Sequence, residues 1–281
     1  ANRFTQLPVE DATRLGAMEF WVGGLRRARK IHTLFPTEEP HWNRDFDVLC
    51  ILDACRVDQI QDACERTEWL PPSDSVDTLW SVGSTSKEWM DGMFGPDHYD
   101  EMEDTAYVTA NLFVEDFDTD RFGACSVVSG EYHDIGDIRA VDPREVTDRA
   151  IHVWRNRDQY DVDRMIVHYM QPHTPFRSRE EWFYSGDLLD TNWGHGFYEL
   201  AAGRLPRDEF LEAYWDNLDW VLEHVDVLRQ NCDGQIALSA DHGNGMGEWG
   251  TYGHPYGVPV PAVRSVPYLH IHGSDERGYD P

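Results

Sequence analysis

From Pro206 to Asn231 the apolar residues Phe210, Tyr214, Leu218, Val221, Leu222, Val225 and Leu228 recur at helical spacing, and the run leads directly into Gln235-Ile236-Ala237-Leu238-Ser239. The first pattern predicts a long amphipathic helix and the second a short buried strand. A helix that delivers the chain straight into a strand is the right-handed crossover unit of a parallel sheet, which restricts the chain to α/β architectures. A second unit follows the same rhythm: a helical pattern opens at Pro143, carries Val146, Ala150, Val153 and Trp154 on one side, ends near Tyr160, and precedes the apolar run Met165–Met170. The expected fold is a doubly wound, mostly parallel sheet with helices on both faces. At 281 residues a single α/β domain is expected, with residues 1–40 as an N-terminal helical segment and 41–273 as the core.

Several strands end on polar residues able to do chemistry. Asp47–Leu52 stops at Asp53, and Gln235–Ser239 stops at Ala240-Asp241-His242-Gly243, with Gly253-His254-Pro255 beginning eleven residues after His242. Open α/β sheets bind ligands beyond the carboxyl ends of their strands, where two carboxylates and an imidazole suit a divalent metal. Met165–Met170 leads to Gln171-Pro172-His173-Thr174-Pro175-Phe176, whose prolines forbid helix and hold His173 on a loop. Leu79–Gly83 leads to Ser84-Thr85-Ser86-Lys87-Glu88, in which Thr85 and Glu88 have capping-box spacing. A hydroxyl there either caps a helix or meets an anion at the positive end of the helix dipole. Thr85 is the foremost candidate nucleophile, with Ser84 and Ser86 as alternatives.

Taken in order, these segments resemble the alkaline phosphatase superfamily, specifically its sulfatase-like branch of metal-dependent hydrolases and transferases. Asp53, Arg56 and Asp58 resemble the family's first metal-ligand segment, and Gly83-Ser84-Thr85-Ser86 its Thr or Ser nucleophile turn. Pro172-His173-Thr174-Pro175-Phe176 resembles the substrate loop. Ser239 to Gly243 with Gly247-Glu248 and Gly253-His254 resembles the second metal segment, and Arg264-Ser265-Val266-Pro267-Tyr268 the strand after it. The resemblance spans roughly residues 45 to 273 and implies that Asp53, Asp241 and His242 hold one metal ion. It further implies that Thr85 attacks, and that His173 and His254 bind the ester and assist its leaving group. Manganese or zinc is preferred over calcium or magnesium because His242 offers nitrogen. Arg56 and Lys87, like Ser84 and Ser86, are substrate-binding candidates, although both cations could instead pair with surface carboxylates. Asp53 is followed by Ala54 and no Cys-x-Pro-x-Arg segment occurs, which excludes a formylglycine sulfatase. Asn244 stands where the family carries Glu. No Asp-x-x-x-His block of the kind that builds a second zinc site is recognised among these segments, which leaves phosphomutase chemistry without support. The implied substrates are phosphorylated or sulfated small molecules, glycans or lipid headgroups. The alternative function is a noncatalytic relative that binds a glycan or partner protein.

A net charge of −28, with 52 acidic and 24 basic residues and lysine only at 30 and 87, points to adaptation to molar salt, hence a halophilic, archaeal source. It also argues against nucleic acid as a partner. Eleven tryptophans and 41% hydrophobic residues rule out disorder. The five cysteines, Cys50, Cys55, Cys64, Cys125 and Cys232, form no C-x-x-C pair and read as small buried hydrophobes. No stretch approaches the ~20 apolar residues of a membrane span, no signal peptide is seen, and no Asn-x-Ser/Thr site occurs. The expected location is cytoplasmic, with membrane-peripheral or extracellular placement as alternatives.

Three further readings concern the remaining segments. Residues 9–35 are expected to form a helix packed on the sheet, with Arg26, Arg27, Arg29 and Lys30 at its C-terminal end; the alternative is an anchor for anionic lipid. Residues 100–142 are expected to shape the substrate pocket. The aromatic stretch 176–205 is either a satellite core or a sugar-stacking wall. His168 alternates with apolar neighbours and reads as a hydrogen-bonded core residue; His195 has no assigned role.

Overall fold

The computed structural model describes residues 9–31, 34–129, 132–135, 138–183, 195–279 and 281. Seven strands make one sheet: β1 (Val48–Leu52), β2 (Asp77–Trp80), β3 (Thr105–Thr109), β4 (Ala124–Val127), β7 (Arg164–Tyr169), β8 (Asn231–Ser239) and β11 (Ser265–Asp275). Their order is β2-β11-β8-β1-β7-β3-β4. The block β8-β1-β7-β3-β4 is parallel; β11 joins its β8 side antiparallel, and β2 pairs antiparallel with β11 and so runs in the direction of the block. Two small hairpins lie apart, β5 (Tyr132–Ile135) with β6 (Ile138–Val141) and β9 (Gly245–Met246) with β10 (Tyr252–Gly253). The expected mostly parallel α/β sheet is the observed one.

Nine helices are described: α1 (Val9–Ala28), α2 (Val57–Arg66), α3 (Ser86–Met93), α4 (Tyr99–Glu103), α5 (Pro143–Arg155), α6 (Arg157–Tyr160), α7 (His195–Ala201), α8 (Arg207–Arg229) and α9 (Pro261–Arg264). Every residue of β1 is buried, so both faces of the sheet are covered. Adjacent residues of β7 show what covers them. His168 meets the Trp89 ring of α3 at 5.4 Å between centroids, while the Tyr169 hydroxyl bonds Thr147 of α5 at 2.7 Å. Neighbouring strand residues point to opposite faces, so α3 and α5 lie on opposite sides of the sheet. Helix α8 packs beside α5 and runs into β8, as its periodicity predicts.

Two helices differ from expectation. The helical run after Pro143 divides at Asn156, whose side-chain amide donates to the His152 carbonyl at 2.7 Å and competes with continuation of the helix. The helix expected over residues 9–35 ends at Ala28, and its buried side chains Val22 and Leu25 join Val258, Val260 and Val263 in a cluster separate from the main core. Of the aromatic stretch, Phe176, Trp182, Phe183 and Phe197 pack with Phe210 and Tyr214 as a second core, which supports the satellite-core reading for these side chains; residues 184–194 lie outside the described set. No described helix is long and apolar enough to cross a membrane.

Candidate active site

Parallel strands bring their carboxyl ends to one rim, and three of those ends supply the centre of the site. Asp53 follows β1, and its N–H donates to the Tyr169 carbonyl at 3.1 Å while its carbonyl accepts from the His173 N–H at 3.1 Å. The substrate loop is thereby fastened to the first carboxylate. Asp241 follows β8; its Oδ1 accepts from the N–H groups of Ala54 (3.0 Å) and His242 (2.9 Å). Ala54 takes a left-handed φ of 64°, a conformation rare for a residue with a Cβ, and this conformation accompanies the N–H bond to the carboxylate.

Asp53, Asp241 and His242 are buried, and one ligand atom from each lies within 4.8 Å of the others. His242 Nε2 is 3.6 Å from Asp53 Oδ1 and 3.5 Å from Asp241 Oδ2. Both of those carboxylate oxygens lack a hydrogen-bond partner. Buried acceptors left without a donor are costly, and two of them facing one imidazole nitrogen suit a divalent cation. Burial first, and the Asp241 charge second, hold the Asp53 carboxyl well above the usual carboxylate range; a bound cation would offset that penalty. His242 donates from Nδ1 to the Gly243 carbonyl at 2.9 Å, which turns Nε2 toward the carboxylates.

The three hydroxyls of the turn before α3 have separate fates. Ser84 is buried and bonded to Glu88, to the Pro255 carbonyl at 3.1 Å and to the Gly257 N–H at 2.8 Å. Thr85 caps α3, its Oγ1 accepting from the Glu88 N–H at 3.1 Å. Ser86, the first residue of the helix, points its Oγ at Asp53 Oδ2 (3.3 Å) and His242 Nε2 (3.5 Å). Gly83 is required just before them, because a Cβ there would lie 2.2 Å from the Trp89 nitrogen.

His254 stacks against His242 and His173, with ring centroids 4.4 and 4.9 Å away. The protonation of its ring follows from a directional chain. The Ala54 carbonyl can only accept, so the Tyr214 hydroxyl donates to it; Tyr214 then accepts from Asn244 Nδ2 (3.0 Å), and Asn244 Oδ1 accepts from His254 Nδ1–H (2.7 Å). Neutral His254 therefore carries its lone pair on Nε2. His173 likewise donates from Nδ1 to the Thr174 carbonyl at 2.7 Å. Burial, ahead of the neighbouring charges, drops His173 to about 4 and His254 well below the ordinary imidazole value. Both rings stand at the cavity, where the resemblance places them beside the ester, and as a neutral ring His254 presents Nε2 as an acceptor.

Arg56 is not at the cavity. Its Nε and NH2 bond the Asp58 carboxylate at 2.9 and 2.8 Å, NH2 also meets Glu248 at 3.0 Å, and NH1 donates to the Asn244 carbonyl at 2.6 Å. It braces the segment after Asp241 instead of facing substrate. Lys87 does line the cavity, half-exposed, 3.5 and 3.6 Å from Asp91 and Asp116. The cavity holds about 530 Å³ and is lined by Asp53, Thr85, Ser86, Lys87, His173 and His254 together with residues from 110–113, 128 and 140–141, within the segment expected to shape it.

One site residue had no role in the sequence reading. Asn111 follows β3, lines the cavity and donates to Asp53 Oδ2 at 3.5 Å; its position at another strand tip was the available signal. His168 is the buried, hydrogen-bonded residue its alternation predicts, bonded through Nδ1 to the Tyr107 hydroxyl at 2.9 Å, and it also lies behind the carboxylates, with Nε2 3.8 Å from Asp241 Oδ2.

No family model and no curated protein matches the chain. Solved structures do. The C-terminal periplasmic domain of the phosphoethanolamine transferase EptC from Campylobacter jejuni aligns with 18% identity and a TM-score of 0.50, covering 82% of this chain and 79% of its own. BT4656, solved with its substrate D-glucosamine-2-N,6-O-disulfate, aligns with 13% identity and a TM-score of 0.50 over 82% of this chain and 71% of its own. The 2-O GAG sulfatase BT1596 gives 11% identity and a TM-score of 0.51 over 80% and 63%. At these identities the likeness is one of fold, and the fold is the mixed α/β sheet of sulfatase-like and alkaline phosphatase superfamily proteins.

Proposed function

We propose that this chain is a metal-dependent hydrolase or transferase of phosphate or sulfate esters, with Asp53, Asp241 and His242 as metal ligands and Ser86 as nucleophile. The observation that carries the reading is the meeting of two partnerless buried carboxylate oxygens, an imidazole Nε2 and the Ser86 hydroxyl at the floor of one cavity. A bound divalent cation would supply charge neutralisation for the ester anion and for the serine oxygen. Ser86 replaces the expected Thr85 because the Thr85 hydroxyl is committed to the helix cap.

In the first step the Ser86 oxygen bonds to phosphorus or sulfur and the ester's alcohol leaves. Ser86 passes its proton to solvent water as it attacks, and the departing alcohol takes up one from water. In the second step a water or acceptor alcohol breaks the serine ester, its proton is accepted by Nε2 of His254, and a proton returns to the serine oxygen as it leaves, which restores Ser86. Lys87 and the free N–H groups opening α3 bind the anionic oxygens.

The test uses the full chain in molar KCl with Mn²⁺ or Zn²⁺, assayed on aryl phosphates and aryl sulfates. Ser86→Ala is expected to cost at least about a thousandfold in kcat, the scale of losing an activated nucleophile, while Thr85→Ala keeps most of the activity. Metal analysis should find about one ion per wild-type chain, as the ligand set implies, and none in Asp241→Asn. Loss in Thr85→Ala with retention in Ser86→Ala would move the attack to Thr85. A chain that takes up no metal and cleaves neither ester is the noncatalytic binding protein. The periplasmic origin of the EptC domain gives no support to a cytoplasmic location, and none is proposed.

A further inference from the structure

Ester hydrolysis explains the polar groups around Asp53 but not the rest of the cavity. Leu112, Phe113, Val128, Val141, Met170 and Pro175 form an apolar wall continuous with the catalytic groups. Leu112 and Phe113 are 62% and 50% exposed, which is unusual for large apolar side chains beside a site unless something covers them in use. One acceptor interrupts the wall. Gln171 is buried, donates its amide N–H to the Val141 carbonyl at 3.0 Å, and leaves Oε1 without a partner.

Resting on the proposed ester chemistry, we infer that the substrate is amphipathic: an anionic ester joined to an alkyl or aryl body that bears at most an isolated hydroxyl or amine. A glycan is the poorer fit, because each sugar hydroxyl buried against Leu112, Phe113, Val128 and Val141 would lose its hydrogen bonds to water. Gln171 Oε1 could satisfy one donor on such a body, not a ring of them. The cavity's volume of about 530 Å³ accommodates a body the size of a hexyl or aryl group together with the ester.

The experiment measures binding of methyl-, butyl- and hexylphosphonate and of glucose 6-phosphate to the Mn²⁺-loaded full chain by calorimetry, with aryl phosphate hydrolysis followed in parallel. Affinity should rise by about two- to fourfold per methylene, as expected for apolar surface leaving water, with a negative heat-capacity change. Glucose 6-phosphate should bind no more tightly than methylphosphonate. Leu112→Ser combined with Phe113→Ser, both on the exposed rim, should reduce the hexyl-over-methyl preference about tenfold, the loss of one to two buried methylenes' worth of contact. Equal affinity across the series, or a preference that survives the double variant, overturns the assignment. Chain-length-dependent binding without any hydrolysis would defeat the enzymatic reading and leave the cavity's preference standing, so the two failures are distinguishable.

Discussion

Asn244 determines which nitrogen of His254 carries the proton. The Tyr214 hydroxyl and the Ala54 carbonyl fix its amide orientation, so only the Oδ1 face meets the ring. Asn244→Leu should lower kcat about a hundredfold, the scale of a mispresented general base, whereas Asn244→Asp, which keeps an acceptor for Nδ1–H, should stay within about tenfold of wild type by the same measure; initial rates at matched metal content decide. Buried imidazoles also set the response to acid. Burial is the largest cause that lowers His41 to about 3 and His168 to about 4 from the ordinary 6.5. A group depressed in the folded state stabilises the fold above its unfolded value, and that contribution is lost as pH falls toward the folded value, since the unfolded chain binds the extra protons. Urea midpoints of the metal-free chain at constant salt should therefore rise steadily from pH 4 to 6.5. At this scale Asp53, Asp241 and His242 were legible because each closes an apolar run. The two readings of Arg56, facing an anion or pairing with carboxylates, could not be separated from sequence, which does not show that Asp58, Glu248 and the Asn244 carbonyl take up its donors.

Helix α3 depends on Glu88 for more than its own cap. One Glu88 oxygen accepts from Ser84 and from the N–H groups of Ser84 (3.1 Å) and Gly257 (3.0 Å), and the other meets Arg29 at 3.0 Å. Burial alone would raise this carboxyl; the bonds from Ser84, Gly257 and Arg29 outweigh it and hold it below its ordinary value. The carboxylate thus ties together the turn before α3, the loop after His254 and the residue following α1. Glu88→Ala should destabilise the fold by about 2–4 kcal/mol, since it strands several buried donors, and chemical denaturation should show this together with loss of activity. The helix and its Thr85 cap could be read from the Thr85–Glu88 spacing, although the Glu88 carboxylate closes on the Ser84 N–H and not on that of Thr85. That the same glutamate reaches Gly257 could not, because that contact spans 169 positions in sequence. Local periodicity likewise predicted α8 and β8, while the placement of α1 against Val258 and Val260 arose from tertiary contact alone.

For the whole molecule, a net charge of −28 on 281 residues means that the fold works against its own electrostatic repulsion. Many arginines answer it locally: Arg66 bridges Asp62 and Asp219, and Arg155 holds Asp275. Exposed pairs of this kind contribute little each, so screening by solvent ions carries the rest. The thermal midpoint should rise by about 10 °C or more between 0.1 M and 2 M KCl, as the screening length shortens from about 10 Å to about 3 Å or less, and a scan in each salt checks it. The acidic composition was plain in the sequence, as was the sheet class. The antiparallel return of β11 beside β8 was not, because Ser265–Asp275 lacks a helix before it long enough to betray its direction.

The bond from the Ala54 amide to the Asp241 carboxylate joins residues 187 positions apart. A nascent or partly refolded polypeptide that has formed β1 and α3 but not yet β8 has a serine and one aspartate with nothing to hold an ion between them. On the proposed function such a molecule would not attack esters prematurely, and completion of the centre would wait on the long-range pairing that sets β8 beside β1 rather than on the helices, which need only their neighbours.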